Sequence, residues 1–322
     1  MSNSVTVRVP ARLHLGFLDL NGGFGRRFGS IGLPLSGPET VLGLSRASEM
    51  RIEGPDSERA GRYLATLCRH LGLNGPYRLT VEDAIPPHAG LGSGTQMALA
   101  VSAALRTLHG LPLEPQADAT LLDRGARSGI GIASFRQGGV IVDGGKLAAD
   151  EPPPVVAQLP FPDEWRAILI LDHRQSGIHG SAEIEAFRDL PVFPAGLAAE
   201  ICRHVLMGAM PALVEHDIVR FGAAVTAIQR MVGTHFAPVQ GGVFTSRPVE
   251  ELAMRLAEAG AVGIGQSSWG PTGFAFAPSQ AAASAMVDTV RANVPKGVEI
   301  RIASGRNHGA SIVSTELGLV GS

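Results

Sequence analysis

The segment IPPHAGLGSGTQMALAVSAAL, residues 85–105, constrains this chain more than any other. From 95 to 108 the pattern is helical and apolar nearly all round, and such a helix has to be enclosed by the rest of the fold. The chain enters it through a loop carrying Gly90, Gly92 and Gly94, which can adopt positive φ and let backbone come close to an anion. A helix start offers unpartnered N–H groups and the positive end of the helix dipole. Ser93 and Thr95 add hydroxyl donors there. No G-K-[ST] follows, so the loop is not a P-loop, and its third glycine falls one residue early for a dinucleotide fingerprint. On composition alone, a plain glycine turn before a core helix is the competing reading.

The rest of the chain supplies layers that could enclose such a helix. Its 322 residues suffice for one large domain or two ordinary ones, and 45% apolar against 17% charged residues implies a sizeable core. Val5, Val7 and Val9 alternate with polar neighbours as in a strand, and ETVLGLS and YRLTVED read the same way. Tyr63, Leu64, Leu67, Cys68 and Leu71 share one helical face, with Gly72 as its stop. A second helical stretch is expected near 118–127, then a strand at VIVDGG. The Pro-rich segment DEPPPVVAQLPFPDEW marks a boundary, giving units 1–155 and 156–322. RAILILD beyond it is a buried strand, and much of 195–231 is helical. The tail then reads strand 242–245, helix 249–259, strand 273–277, helix 281–293 and strand 298–303. That alternation predicts an α+β sandwich with helices on one face of a small sheet.

A formal net charge of −2 gives no electrostatic case for nucleic acid or an anionic membrane surface. The N-terminus MSNSVTVRVP has no basic region followed by an apolar run, and the longest apolar run, 97–105, is too short to span a bilayer. Cys68 and Cys202 form no C-x-x-C pair and read as buried thiols of a cytoplasmic protein.

The glycine loop resembles the second motif of the GHMP kinase superfamily, Pro-x-Gly-x-Gly-Leu-Gly-Ser-Ser. Pro86, Gly90, Leu91, Gly92 and Ser93 match it, whereas His88 replaces a glycine and Gly94 the second serine. PARLHLGFLDLN resembles the first motif, with Pro10, Arg12 and Leu15 in place and His14 standing for Asn. GIGQSSWGPTGFAF occupies the place of the third. The resemblance implies a two-domain GHMP kinase-like α+β fold, with a ribosomal protein S5 domain 2-like N-terminal unit and a ferredoxin-like C-terminal unit. Its site would lie in the cleft between them.

Two departures separate the chain from a kinase. Many kinases of this superfamily carry Ser-Gly-x-Asp, whose Asp helps deprotonate the acceptor hydroxyl. Here the run is Ser128-Gly129-Ile130-Gly131, and glycine offers no titratable group. Trp269 and Pro271 interrupt the usual glycines of the third motif. The long motifs GFLDLNGGFGRRFGSIGLPL, GLGSGTQMALA, RSGIGIASFRQGGVIVDGG and GQSSWGPTGFAF resemble one branch, the β-ribofuranosylaminobenzene 5′-phosphate synthases. That resemblance implies a homodimeric decarboxylating phosphoribosyltransferase of tetrahydromethanopterin biosynthesis. It would join phosphoribosyl pyrophosphate to 4-aminobenzoate, or to 4-hydroxybenzoate, through a C–C bond, releasing CO₂ and pyrophosphate. Gly90, Leu91, Gly92, Ser93, Gly94, Thr95 and Gln96 would hold the diphosphate. Mg²⁺ would bridge its oxygens.

Other residues carry two readings each. Arg26 and Arg27 in GRRFGS are either solvated or an anion clamp. Asp19 is a turn carboxylate or a ligand, and His14 a satisfied core histidine or a substrate contact that keeps the Asn hydrogen bond. Asp172, Arg174 and His179 lie in a polar loop after a buried strand, where they are ordinary loop residues or site residues. Asp19, Asp172 and His179 are the catalytic candidates, and Arg12, Ser128, Arg136, Arg174, Ser268 and Trp269 complete the binding set. The Trp269 indole would stack on the benzoate ring or pack in the core. Two other functions fit the fold. One is an ATP-dependent small-molecule kinase with Asp19 or Asp172 as base, the other a non-catalytic metabolite sensor.

Overall fold

The computed structural model describes residues 2–147, 152–177 and 180–316. Two exceptionally long strands, β1 (Ser2–Asp19) and β2 (Phe28–Arg46), pair antiparallel and run through both halves of the molecule. Val5, Val7, Val9, Ala11, Leu13, Leu15 and Phe17 alternate along β1 and are all buried. A seven-stranded sheet forms around this pair in the order β11 (Ser311–Glu316), β1, β2, β4 (Tyr77–Asp83), β3 (Arg51–Glu53). β5 (Val140–Asp143) joins β2, and β6 (Val155–Leu159) joins β5.

Helix α1 (Ser57–Leu71) and the apolar helix α2 (Ser93–Leu108) cover the near half of this sheet. From Met97 to Leu105 every residue of α2 is buried, as its all-round apolar pattern requires. Each buried Leu or Val contributes roughly 1.5–3 kcal/mol against exposure. The short α3 (Pro115–Leu121) is tied to α2 by the buried Arg106–Asp118 pair, Nε to Oδ2 at 2.7 Å. Helix α4 (Ile130–Arg136) leads into β5.

The second sheet has the order β10 (Val298–Ser304), β7 (Arg166–Asp172), β9 (Gly273–Ala277), β8 (Val262–Gln266), antiparallel throughout. Between β7 and β8 lie α5 (Ser181–Asp189), α6 (Ala195–His204), a π turn, α7 (Met210–Val214), α8 (Ile218–Gln240) and α9 (Arg247–Glu258). Helix α10 (Gln280–Val290) links β9 to β10. The path β-α-β-β-α-β is that of a ferredoxin-like unit. One face of its sheet packs on α9 and α10. The other joins a central core with the far half of β1 and β2 and with α6 and α8. Gly16 allows α8 this close, because a Cβ there would lie 2.4 Å from Ile228 Cγ2.

Several expectations need correction. The boundary at 155/156 falls at the start of β6, which belongs to the first sheet, and β11 also returns to that sheet from the far end of the chain. The helix expected near 118–127 ends at Leu121, and a loop with Asp123 in the left-handed region (φ 57) follows. Residues 242–245 form a turn, because the Gln240 and Gln266 side chains take the backbone groups a strand would pair. Cys202 is exposed and Cys68 half-buried, both as free thiols. The stretch Ala195–Val214 is long and apolar enough to cross a bilayer by composition, but Ala198, Ile201, Val205, Ala209, Ala212 and Leu213 face the core.

Candidate active site

A cavity of about 550 Å³ opens at the N-terminus of α2. The glycine loop forms its floor. Gly90 and Gly92 sit at φ 78° and 83°, which only glycine adopts freely. A Cβ on Gly90 would lie 2.1 Å from the Ser267 carbonyl oxygen, so glycine is required there for the β8–β9 loop to close on it. The first-turn N–H groups of α2 have no helical acceptor and point to this space.

Hydrogen bonds lock the three motif segments together. The Arg12 amide donates to the Leu91 carbonyl at 3.0 Å, and its guanidinium Nη1 to the Gly90 carbonyl at 2.5 Å. The Ser267 hydroxyl donates to the same Gly90 carbonyl at 2.8 Å and accepts the His14 amide at 3.0 Å. The Gly177 amide donates to the His88 carbonyl at 2.9 Å, bringing the loop after β7 onto the glycine loop.

The walls are cationic. Arg12, Arg59, Arg62, Arg124 and Arg127 line the cavity, against the two carboxylates Asp56 and Asp123. Arg59 pairs with Asp56. A Cβ at Gly94 would stand 3.3 Å from Arg124 Nη1 and 3.6 Å from Arg59 Nη1, so both guanidinium groups converge over the first turn of α2. A helix N-terminus and two guanidinium forks facing one space make an anion site. Arg127 lies over the Phe187 ring, 5.1 Å from its centroid.

Toward the interior the cavity becomes aromatic. His14 is 3% exposed and lies 4.5 Å from Phe17 between ring centroids. Trp269, 4% exposed, packs on Phe236 at 4.4 Å and on Phe187 at 5.5 Å. Burial, reinforced by the Arg12 charge, pushes the His14 pKa down to about 3, so the imidazole is neutral at physiological pH. Asp143, behind the Ser128-Gly129 turn, is pushed up to about 6 by burial, against the stabilising N–H bonds of Gly145 and Gly129.

The structure brings Arg12, His14, Gly90, Gly92, Ser93, Gly94, Thr95, Ser128, Ser268 and Trp269 together around this cavity. Leu91 is in the core beneath it, and Gln96 ties α2 to α4 by donating to the Gly131 carbonyl at 2.7 Å. The other expected residues lie elsewhere. Asp19 accepts the amides of Asn21 and Gly22 in a turn, at 2.7 and 3.0 Å. Arg26 donates to the Gly145 carbonyl at 3.0 Å, and Arg27 packs over Phe28. Arg136 borders separate grooves beside α3 and β6. Asp172 is buried, held by Arg174 at 2.8 Å and by the Ser246 hydroxyl at 2.7 Å, and these bonds, Arg174's first, lower its pKa to about 2. His179 lies outside the described residues. The expectations did not include Asp56, Arg59, Arg62, Asp123, Arg124, Arg127 or Ser267. The four arginines come from SERAGR and from DRGARSG, which contains the Ser128 turn, and paired arginines in both are the one local hint.

A kinase Asp at position 131 would force Thr95 to shift, because a Cβ on Gly131 would lie 2.9 Å from Thr95 Cγ2. Among the described residues, no group of three or more His, Cys, Asp or Glu is placed to hold a metal.

Two antiparallel-rich units with a glycine-loop anion cleft define a protein of the GHMP kinase class. The family models described as GHMP kinases N terminal domain and GHMP kinases C terminal match residues 59–140 and 209–296. The fold is similar to L. major mevalonate kinase in complex with R-mevalonate (TM-score 0.71, 17% identity, 94% of this chain and 96% of that one). It is also similar to homoserine kinase from Cytophaga hutchinsonii (TM-score 0.68, 20% identity, 97% and 98%). Among curated proteins, β-ribofuranosylphenol 5′-phosphate synthase of Methanothermobacter thermautotrophicus is 31% identical over 95% of this chain and 98% of its own. The synthase of the same name from Archaeoglobus fulgidus is 33% identical over 85% and 88%. The chain belongs to the β-ribofuranosylphenol 5′-phosphate synthase family, the branch its motifs resemble, named here with a phenol in place of an aminobenzene.

Proposed function

We propose that this enzyme is a pentosyltransferase that joins the ribosyl carbon of phosphoribosyl pyrophosphate to a para-substituted benzoate, releasing CO₂ and pyrophosphate. The observation that carries the reading is the convergence of Arg59 and Arg124 on the N-terminus of α2, next to an aromatic interior. The product in the relatives' name is a phenol, which favours 4-hydroxybenzoate over 4-aminobenzoate as acceptor.

In this reading the α2 N–H groups, Ser93, Thr95, Arg59 and Arg124 bind the diphosphate and offset the charge it gains as the C–O bond breaks. Arg62 and Arg127 lie at the same mouth and supply cations for the 5′-phosphate and the benzoate carboxylate. A ring carbon is the nucleophile, so no base has to deprotonate a sugar or alcohol hydroxyl, and Gly131 is compatible with the reaction. Mg²⁺ usually binds through one or two carboxylates plus phosphate oxygens and water. The cavity fits that pattern, with Asp123 as the carboxylate able to hold the ion, since Asp56 is paired with Arg59. Bound there, it would help neutralise the leaving diphosphate.

An ATP-dependent kinase is the weaker reading, since its two candidate bases, Asp19 and Asp172, are engaged away from the cavity. A role in tetrahydromethanopterin biosynthesis, a cytoplasmic setting and a homodimer are parts of the same proposal. The exposed apolar residues Leu206, Met207, Val214 and Val219 are available to a subunit contact.

The test supplies carboxyl-labelled 4-hydroxybenzoate or 4-aminobenzoate with phosphoribosyl pyrophosphate and Mg²⁺. Labelled CO₂ and pyrophosphate released in equal amounts support the proposal. Folded protein that releases neither refutes it, and binding without turnover would point to a sensor.

A further inference from the structure

We infer that the inner end of the cavity is the acceptor subsite, where His14 Nε2 and Trp269 Nε1 together grip the para substituent of the aromatic acid and select hydroxyl over amine. This rests on the functional reading above.

Both nitrogens are buried and lack a hydrogen-bond partner, whereas most buried polar groups of proteins have one. Leaving a buried polar atom unpaired costs about 1–3 kcal/mol. The two side chains that carry these atoms both border the inner end of the cavity. His14 and Trp269 line the main cavity and also a space of about 20 Å³ behind it, bounded by Phe17 and Phe236. That space has room for about one water molecule, so a ring entering from the cleft would stop against this pair.

The chemistry of the pair is specific. In the tautomer with its hydrogen on Nδ1 the neutral His14 imidazole accepts at Nε2, and an indole N–H only donates. A phenolic hydroxyl answers both, giving its hydrogen to His14 Nε2 and accepting from Trp269 Nε1. An aniline nitrogen has its lone pair delocalised into the ring and would leave the indole N–H unanswered. A site built to pair a hydroxyl discriminates strongly against an analogue that cannot complete the pair.

The orientation also suits the reaction. With the para substituent held inward, the carbon bearing the carboxylate faces the arginine-lined mouth. That carbon bonds to the anomeric carbon as the C–O bond to diphosphate breaks, and the electron pair leaves with pyrophosphate. The para oxygen feeds density into the ring while its hydrogen is held toward His14. Breaking the ring–carboxylate bond returns an electron pair to the ring and releases CO₂. The phenol regains its hydrogen, with no net proton taken up.

The experiment measures kcat and KM for 4-hydroxybenzoate and 4-aminobenzoate, with pyrophosphate release as readout, in His14→Phe, His14→Asn and Trp269→Phe. Trp269→Phe removes the N–H and part of the indole's volume, keeps an aromatic ring at the position and should fold. In Trp269→Phe and His14→Phe, kcat/KM for 4-hydroxybenzoate is expected to fall at least ~10-fold, against a smaller loss for 4-aminobenzoate. The KM for phosphoribosyl pyrophosphate should change less than about twofold, since the cradle is intact. His14→Asn, which keeps an acceptor, should retain part of the preference. In a Trp165→Phe background, 4-hydroxybenzoate added with inorganic pyrophosphate should quench the remaining indole fluorescence, and benzoate should do so only at higher concentration. If the wild type turns over and its discrimination survives both Trp269→Phe and His14→Phe, the subsite is wrong while the functional reading stands. If the wild type releases no pyrophosphate with either acid, the functional reading fails and the subsite with it.

Discussion

The hydroxyl of Ser267 reaches the Gly90 carbonyl at 2.8 Å, joining the turn after β8 to the glycine loop 177 positions earlier in the chain. The same oxygen receives the His14 amide, so a single buried side chain holds the first, second and third motif segments in register. Ser267→Ala would leave the His14 N–H without an acceptor and free the Gly90 carbonyl on one side. The expected loss is about 1–3 kcal/mol of stability, read as a lower Tm. The KM for phosphoribosyl pyrophosphate should rise while the acceptor KM changes less. A variant with unchanged Tm and unchanged KM would mean that the loop holds its shape without this bond.

The contact of Gly131 with Thr95 bears on the kinase alternative. Gly131→Asp restores the carboxylate that related kinases use, but its Cβ would lie 2.9 Å from Thr95 Cγ2. Overpacking of this kind costs about 1–3 kcal/mol. The variant should melt lower, lose pyrophosphate release and gain no ATP-dependent transfer to an alcohol. Appearance of such transfer on restoring this one carboxylate would show that the cradle is still a nucleotide site.

The pairing of Arg124 with Arg59 over Gly94 predicts where affinity for the diphosphate resides. Arg124→Ala and Arg59→Ala should each weaken binding of inorganic pyrophosphate by ~10-fold or more, since a hydrogen bond to a charged group is worth about 1.5–3 kcal/mol. The affinity should also fall with rising salt, less steeply in the variants. Arg174→Ala is the control. Arg174 serves Asp172 outside the cavity, so pyrophosphate affinity should stay at the wild-type value. Titration calorimetry across a salt series separates these outcomes.

The sequence carried the cradle because its signals are local. Glycine at Gly90 and Gly92, the hydroxyls behind them and the unbroken apolar run of α2 each announce their geometry within a few residues. The strands β5, β7, β9 and β10 were legible for the same reason. The arginine wall was not. Arg59 and Arg62 sit on the first two turns of α1, and Arg124 and Arg127 in a loop before α4. Each reads as an ordinary solvated arginine until the fold carries both segments to the start of α2. Conversely, Asp172 looked like a site residue because it ends a buried strand in a polar loop. Its carboxylate is instead consumed by Arg174 and Ser246, a use that no local pattern reveals. The strand β11 was missed because its stabilisation comes from pairing with β1 at the opposite end of the chain.

Asp143 gives the protein a pH dependence of known sign. Burial raises its folded pKa from the usual 3.8 to about 6, although the Gly129 and Gly145 amides favour the charged form. The folded state therefore binds this proton more tightly than the unfolded chain does. The resulting stability is fully present below pH 3.8 and is lost as the pH rises through about 6. The size of the effect is on the order of 2–3 kcal/mol, at about 1.4 kcal/mol per pKa unit. Asp172 acts in the opposite sense. Its folded pKa of about 2 means that its contribution is present above 3.8 and disappears as the pH falls through 2. Between pH 4 and 6.5 the decline due to Asp143 should thus stand alone of the two. Asp143→Asn, which keeps one acceptor for the Ser128-Gly129 turn, should flatten Tm against pH over that window, whatever its effect on absolute stability. Calorimetric melts at half-unit intervals measure this. An unchanged slope in the variant would mean that the Asp143 carboxylate ionises in the folded protein as it does in the unfolded chain.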